Sequence, residues 1–247
     1  MTATRLTSRA IVRLTPADES ESVADFLQGL LTNDVKQALP VYAGLLTPQG
    51  KALFDMIVWP AGDGGLLLDC EAEFAEDLAK RLSLYRLRRK IDIAVDETVG
   101  VHWEGHMGDG GASDPRLAAL GQRWLAPVAE GDTSADEAYR QHRLSLGVPE
   151  GRAELGDILW LETNAVELHG VAFDKGCYIG QENTARMNWR SKVNRRVVVV
   201  PLEQSDEKRR KVAYEELGLA VDHLRVSEID PQTAPEWMRP GLTPAEG

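Results

Sequence analysis

Apolar positions set the frame before any single residue is considered. Ala10 to Leu14 is short, apolar and β-branched, and it stops at Pro16, which predicts a strand. A helix should follow, with Ser22 as cap and Asp25 three residues on, because Val23, Phe26, Leu27, Leu30 and Leu31 share the face of a 3.6-residue period. Tyr42–Leu46 and Ala52–Trp59 read as strands joined through Thr47-Pro48-Gln49-Gly50. After the turn at residues 62–65, a strand over Leu66–Asp69 leads to a helix with Phe74, Leu78, Leu82 and Tyr85 on one face. Ile91, Ile93 and Val95 then alternate as another strand. This order predicts an α+β fold in which residues 9–96 form a ferredoxin-like split β-α-β unit, with helices on one face of an antiparallel sheet.

The second half is less regular. Residues 105–111 are glycine-rich and loop-like, Asp114-Pro115 should open a short helix that ends before Gly121, and Ser134 with Glu137 should start one that runs to Gly147. Val197–Val200 begins a last β segment, a charged helix is expected over residues 206–216, and the proline-bearing tail from Pro231 reads as irregular. The expected organisation is an N-terminal unit over 1–100, a second α+β unit over 101–192 and a reduced β segment over 193–247.

Charge and cysteine content narrow the classes. With 28 Lys and Arg against 39 Asp and Glu the net charge is −11, which argues against non-specific nucleic-acid binding through phosphate neutralisation. The two cysteines, Cys70 and Cys177, form no C-x-x-C, so neither a disulfide framework nor a zinc knuckle is expected, and a reducing compartment fits. No apolar run of signal-peptide or membrane-spanning length is present, so the expectation is a cytoplasmic protein without a membrane or nucleic-acid partner. Two basic clusters interrupt the acidic chain: Lys80, Arg81, Arg86, Arg88, Arg89 and Lys90, and Arg186, Arg190, Lys192, Arg195 and Arg196. The first overlaps a helix C-terminus and reads as a solvated face, whereas the second follows the densest motif and is the better functional candidate.

That motif is Asp174-Lys175-Gly176-Cys177-Tyr178-Ile179-Gly180-Gln181-Glu182, with Arg186 beyond it. Two glycines flank a cysteine just before a helix start, with Lys175 beside it, a setting that suits a reactive thiol. The plain alternative is a small buried hydrophobe in a tight turn. No histidine pairs with Cys177 in the sequence to make it a hydrolase nucleophile.

Lys175–Glu182 resembles the signature of the YgfZ-type folate-binding proteins, relatives of the glycine-cleavage aminomethyltransferase (T-protein). Phe26–Val35 resembles that family's first helix and its exit, Leu45–Lys51 its hairpin, and Tyr139–Gly151 the approach to its central cavity, all in the right order over roughly residues 8–200. The resemblance implies ferredoxin-like domains arranged around a central cavity and closed by a C-terminal β-barrel, here shortened. It further implies a bound tetrahydrofolate or other reduced folate, and a role with iron-sulfur client or assembly proteins, including tRNA-modifying enzymes. It places Cys177, Lys175, Gly176, Gly180, Gln181 and Glu182 in the functional loop. The expected folate contacts are Tyr139, stacking on the ring or else an ordinary half-buried tyrosine, Asn33 and Asp34, which are equally local caps and turn formers, and Arg143 and Arg186, with Gly176 and Gly180. The chain departs from the pattern at Ser145, where the aminomethyltransferases carry a pterin-holding carboxylate, and at Arg9, where an aromatic residue is usual. The expected function is therefore a folate-binding accessory of iron-sulfur enzymes. A one-carbon transferase and a folate-free scaffold are the alternatives.

Overall fold

The structure, a computed structural model, describes residues 3–189 and 193–242. The chain runs through β1 (Arg5–Leu6), β2 (Arg9–Pro16), α1 (Val23–Gln28), β3 (Val41–Leu46), β4 (Ala52–Pro60), β5 (Leu66–Glu71), α2 (Ala75–Arg86) and β6 (Ile91–Asp96). It continues through β7 (Val99–Glu104), β8 (Ala112–Ser113), β9 (Gln122–Pro127), α3 (Asp136–Ser145), the single turn α4 (Arg152–Leu155), α5 (Gln181–Trp189), β10 (Arg195–Pro201), β11 (Arg210–Tyr214) and β12 (Leu219–Arg225).

Strands β3-β4-β5-β2-β6 make a five-stranded antiparallel sheet. Its two faces are both covered, and the strand period of two sorts the residues between them. Val12, Leu14, Met56, Val58, Leu66, Leu68 and Cys70 join α1 and α2 in one core, where Val23, Phe26, Leu27, Leu78 and Leu82 supply the helical side. Ile11, Ile57, Trp59 and Leu67 point the other way, into a second core shared with Val101, Trp103 and Trp160. Double burial explains why Leu66–Leu68 is an unbroken apolar run. It also sends Arg9, Asp55 and Asp69 to the second face, where they are enclosed rather than solvated, with Glu71 half-buried at the edge.

That second face meets a four-stranded sheet, β1-β7-β9-β8, in which the first strand of the chain pairs with β7 (Leu6 opposite Val101). The α+β class and ferredoxin-like character expected from the pattern agree with this arrangement. The N-cap at Ser22 is also present, its hydroxyl accepting the Asp25 N–H at 3.1 Å. Three local expectations are corrected. Asp114-Pro115 opens no α-helix: a 3-10 turn covers only Ala118–Leu120, because the buried Asp114 carboxylate holds Arg116 in a tight loop. The expected helix over 206–216 is instead a turn followed by β11, which pairs with β12 from Arg210 on, with a bulge before Val212, in a three-stranded sheet, β10-β12-β11. Its charged flanks, Glu207 to Arg209 before it and Glu215 and Glu216 after it, explain why the stretch passes for a helix surface in the sequence. The tail from Pro231 to Leu242 packs on the body rather than running irregularly: Pro235 seats on Gly147, Trp237 Nε1 donates to the Leu146 carbonyl at 2.8 Å, and Met238 is buried. The C-terminal strands among the described residues remain an open sheet and do not close a barrel.

Candidate functional site

Lys175 and Tyr178 are buried, and Gly176 and Cys177 between them are exposed. The loop is thus held at two posts and presents a free thiol at its tip. The Lys175 ammonium donates to the carbonyls of Gln28 (2.6 Å) and Leu31 (2.5 Å), at the end of α1, and lies 4.9 Å from the Tyr178 ring centroid. Burial pushes it down to about 8, with Asp34 opposing. Its ammonium therefore serves the carbonyls at the end of α1. On the other side of the tip, Gly180 (φ +81°) packs on the β3–β4 turn: an added Cβ would stand 2.6 Å from the Thr47 carbonyl oxygen and 3.0 Å from Gly50 Cα. Asn183 of α5 fastens the same contact by donating to the Gln49 carbonyl at 2.7 Å.

The other expected residues of this region scatter. Gln181 begins α5 and donates its N–H to the Tyr178 carbonyl at 3.2 Å. Glu182 and Arg186 pair with each other at 3.1 Å on the exposed side of α5. Arg190 and Lys192 lie outside the described residues, and Arg196 is buried against Glu167 (2.8 Å), away from the loop. Asn33 is a bracket: its side-chain amide donates to the carbonyls of Tyr42 (2.8 Å) and His169 (2.7 Å). Asp34 accepts from Gln28 Nε2 and the Lys36 N–H.

A second constellation fills the space between the two large sheets. Arg123, from β9, reaches Asp69 at 2.9 Å, Asp114 at 3.0 Å and Glu150 at 3.3 Å. Arg116 meets Asp114 at 2.7 Å and Glu150 at 2.5 Å, and Arg9 meets Asp69 at 2.6 Å. The Tyr139 hydroxyl sits among them, donating to Glu150 (2.5 Å) and accepting from Arg116 (2.8 Å) and Arg123. Burial alone would raise the Glu150 carboxyl, but the guanidiniums of Arg116, Arg9 and Arg123 outweigh it and hold it well below the usual range. Burial pushes Tyr139 up to about 12 and also raises Asp55, which accepts the Gly151 N–H at 3.2 Å. Arg143 is clamped to Glu154 at 2.6 Å, and Glu154 also takes the Tyr214 hydroxyl at 2.5 Å.

Beside this network lies a cavity of about 250 Å³ whose walls include Arg9, Glu71, Tyr139, Arg143, Glu150 and Tyr214. Tyr139 and Arg143 therefore do reach a cavity, with their polar groups already engaged. The Tyr139 ring has the Arg123 guanidinium 4.7 Å above its centroid and the Trp103 ring against its edge. Ser145 does not reach it: its residue is exposed and its hydroxyl donates to the His142 carbonyl at 2.7 Å. Two groups in the cavity remain open to a ligand. Arg9 Nη1 is buried and makes no hydrogen bond, its nearest acceptor being Glu150 Oε1 at 3.5 Å. The Glu71 carboxyl is pushed up to about 7 by burial and by Asp55. Arg116, Arg123, Asp69, Asp114, Glu71 and Asp55 were missed in the sequence. Their signal is a charge placed inside an apolar strand or against one, as in Leu66-Leu67-Leu68-Asp69 and Phe54-Asp55-Met56. Among the described residues, no group of three or more His, Cys, Asp or Glu side chains is placed to hold a metal ion, and no helix is long and apolar enough to cross a membrane.

The architecture matches the crystal structure of the glycine cleavage system aminomethyltransferase T from Bartonella henselae, with a TM-score of 0.67 over 90% of this chain and 78% of that one, at 12% identity. The chain has the aminomethyltransferase fold. Its sequence is similar to iron-sulfur cluster assembly factor IBA57, mitochondrial, of Homo sapiens (34% identity over 236 residues, 79% of this chain and 65% of the relative) and of Mus musculus (33% over 242 residues, 82% and 66%). It is also similar to the homologue of that factor in Neurospora crassa (31% over 233 residues, 79% and 52%). The chain thus spans between half and two thirds of the length of these relatives. No protein-family model matches it. The relatives are named as mitochondrial proteins, which overturns the cytoplasmic expectation.

Proposed function

We propose that this aminomethyltransferase-fold protein is an accessory factor in iron-sulfur cluster assembly whose working group is the Cys177 thiol, and that its central cavity takes the ring head of a reduced folate. The observation that carries the reading is the free thiol, exposed at the tip of a loop whose neighbours on both sides are buried. A structural cysteine would sit as Cys70 does, inside the core with burial pushing its thiol up to about 12. The similarity to iron-sulfur cluster assembly factors supports the direction of the chemistry. A cluster is the cargo here, and clusters are commonly held by four thiolates, so one thiol acts together with ligands supplied by a partner.

The cavity fits the head of a folate better than the whole molecule. About 250 Å³ lies below the ~300–1,000 Å³ of sites that enclose a drug-sized ligand. Arg9 Nη1 offers a buried donor that makes no hydrogen bond, and Glu71 offers a carboxyl that can accept from ring N–H groups. When bound, a reduced folate would supply one-carbon or reducing chemistry; the protein's part is to orient the ring edge between these two groups. Two measurements test the reading. In a strain lacking the gene, Cys177→Ser should fail to restore iron-sulfur enzyme activity while its melting temperature stays that of the parent; full restoration overturns the role of the thiol. Tetrahydrofolate should bind saturably, and more weakly to Glu71→Gln. No binding at all leaves the folate-free scaffold.

A further inference from the structure

The surface next to the Cys177 loop carries a feature that the reading above does not use. Tyr85, near the end of α2, separates two grooves. One, of about 560 Å³, runs between Pro48 of the β3–β4 turn, Tyr85 and residues 178–182 with Ala185, so its wall begins one residue after Cys177. The other, of about 730 Å³, lies between Asp25, Phe26 and Leu30 on the α1 side and Tyr85–Arg89. Two leucines stand out of this surface, Leu84 at 69% and Leu87 at 86% exposure. Leu87 does so from a left-handed backbone (φ +50°), a conformation that a branched side chain rarely adopts and that clusters at binding sites.

The charge around them is basic, in a chain of net charge −11. Arg89 and Lys90 are paired with Glu21 and Asp18. Among the described residues, Lys80, Arg81 and Arg88 enter no ion pair, and Arg86 donates only to the neutral Ile91 carbonyl. The acids at the groove ends are already engaged, Asp25 with Lys36 and Glu182 with Arg186. An apolar surface rimmed by unpaired cations fits a partner with the opposite rim. The two concavities are separated by a helix side chain rather than bounded by a free strand edge, so strand addition does not apply. Of the aromatic residues that line the grooves, Phe26 and Tyr178 are buried and only Tyr85 is half-exposed, too little ring surface for a polyproline ligand, which leaves an amphipathic helix laid in a groove.

The geometry points to the Tyr85 grooves as the docking site for an acidic amphipathic helix of a partner protein. The partner's apolar face lies on Leu84, Leu87 and Tyr85, its carboxylates meet Lys80, Arg81 and Arg88, and it is thereby brought beside Cys177. The inference deepens the proposed assembly role and rests on it for the identity of the partner as a cluster-handling protein.

The test uses the full chain and a labelled helical peptide with leucines on one face and glutamates on the other, followed by fluorescence anisotropy. A counterpart with lysines in place of the glutamates is the control. The glutamate peptide should bind saturably and more weakly as salt is raised, and the lysine peptide should not. Leu87→Asp and Arg88→Glu, both surface changes, should each weaken binding by at least about tenfold, the size of a truncated interface anchor. Cys177→Ser should bind as the parent does. Equal binding of the two peptides, or parental affinity in both surface variants, overturns the docking site. The two readings fail separately: a Cys177→Ser protein that restores iron-sulfur enzymes fully sinks the role of the thiol and leaves the peptide result standing, and the reverse pattern sinks only the groove.

Discussion

Glu71 is a cavity carboxyl that no arginine side chain pairs with among the described residues; its Oε2 accepts the Arg152 N–H at 2.7 Å. Burial, and then the nearby Asp55, push it from its ordinary value up to about 7. Between that ordinary value near 4.5 and about 7 the folded protein holds a proton that the unfolded chain releases, so the stability contributed by this group is present at low pH and lost as pH rises through 7. Glu71→Gln keeps an acceptor for Arg152 and removes the titration. Urea midpoints of parent and variant should therefore agree near pH 4 and diverge above pH 7, with the variant the more stable; parallel curves across the range would show that Glu71 titrates normally. Cys177 shows the opposite economy: an exposed side chain whose replacement by serine should change stability by no more than about 0.5 kcal/mol, which makes any loss of activity a statement about chemistry.

At the level of elements, the functional loop depends on a meeting of two turns that lie far apart in the chain. Gly50 (φ +80°) and Gly180 (φ +81°) face each other where the β3–β4 hairpin receives the start of α5. A methyl group at residue 180 would add left-handed strain and press on the Thr47 carbonyl oxygen at 2.6 Å. Gly180→Ala should cost about 1–3 kcal/mol, with faster hydrogen exchange over residues 175–184 than over the sheet; unchanged protection there would rule out the contact as the support of the loop. The hairpin was legible from its Pro-Gly turn and flanking apolar runs. Its role as a seat for the cysteine loop was not, because the contact spans about 130 residues of chain. The strand β11 was read as a helix for a related reason: its flanks are charged, and only pairing with β12 decides its conformation.

Across the whole molecule, the ionic network is what joins the two large sheets. Arg9, Asp55 and Asp69 come from the first, Arg123 from the second, and Glu150 from the connection after α3. Arg9, Arg116, Arg123, Asp69, Asp114 and Glu150 each have an opposite partner, and breaking such a buried pair costs about 3–5 kcal/mol. Arg123→Met, by removing the cation that Asp69, Asp114 and Glu150 share, should lower the urea unfolding free energy by about 3–5 kcal/mol; a loss below about 1 kcal/mol would mean that Arg9 and Arg116 rebalance the site. The net charge of −11 conceals this balance, just as it conceals the basic surface around Leu87.

The sequence by itself determined what depends on neighbours along the chain. The strand-helix-strand order of residues 9–96, the cap at Ser22, the Pro48–Gly50 turn and the cysteine loop with its resemblance to a folate-binding family follow from periodicity and motif. Tertiary structure alone decided where charges and polar atoms ended up. It placed Lys175 against the carbonyls at the end of α1, drew Tyr139 into an arginine cluster, turned Asn33 into a bracket and left Cys177 in the open. The physical reason is one of range. Hydrophobic periodicity is read over a few residues, whereas the partner of a buried charge lies in another strand, and nothing local in the chain marks which one.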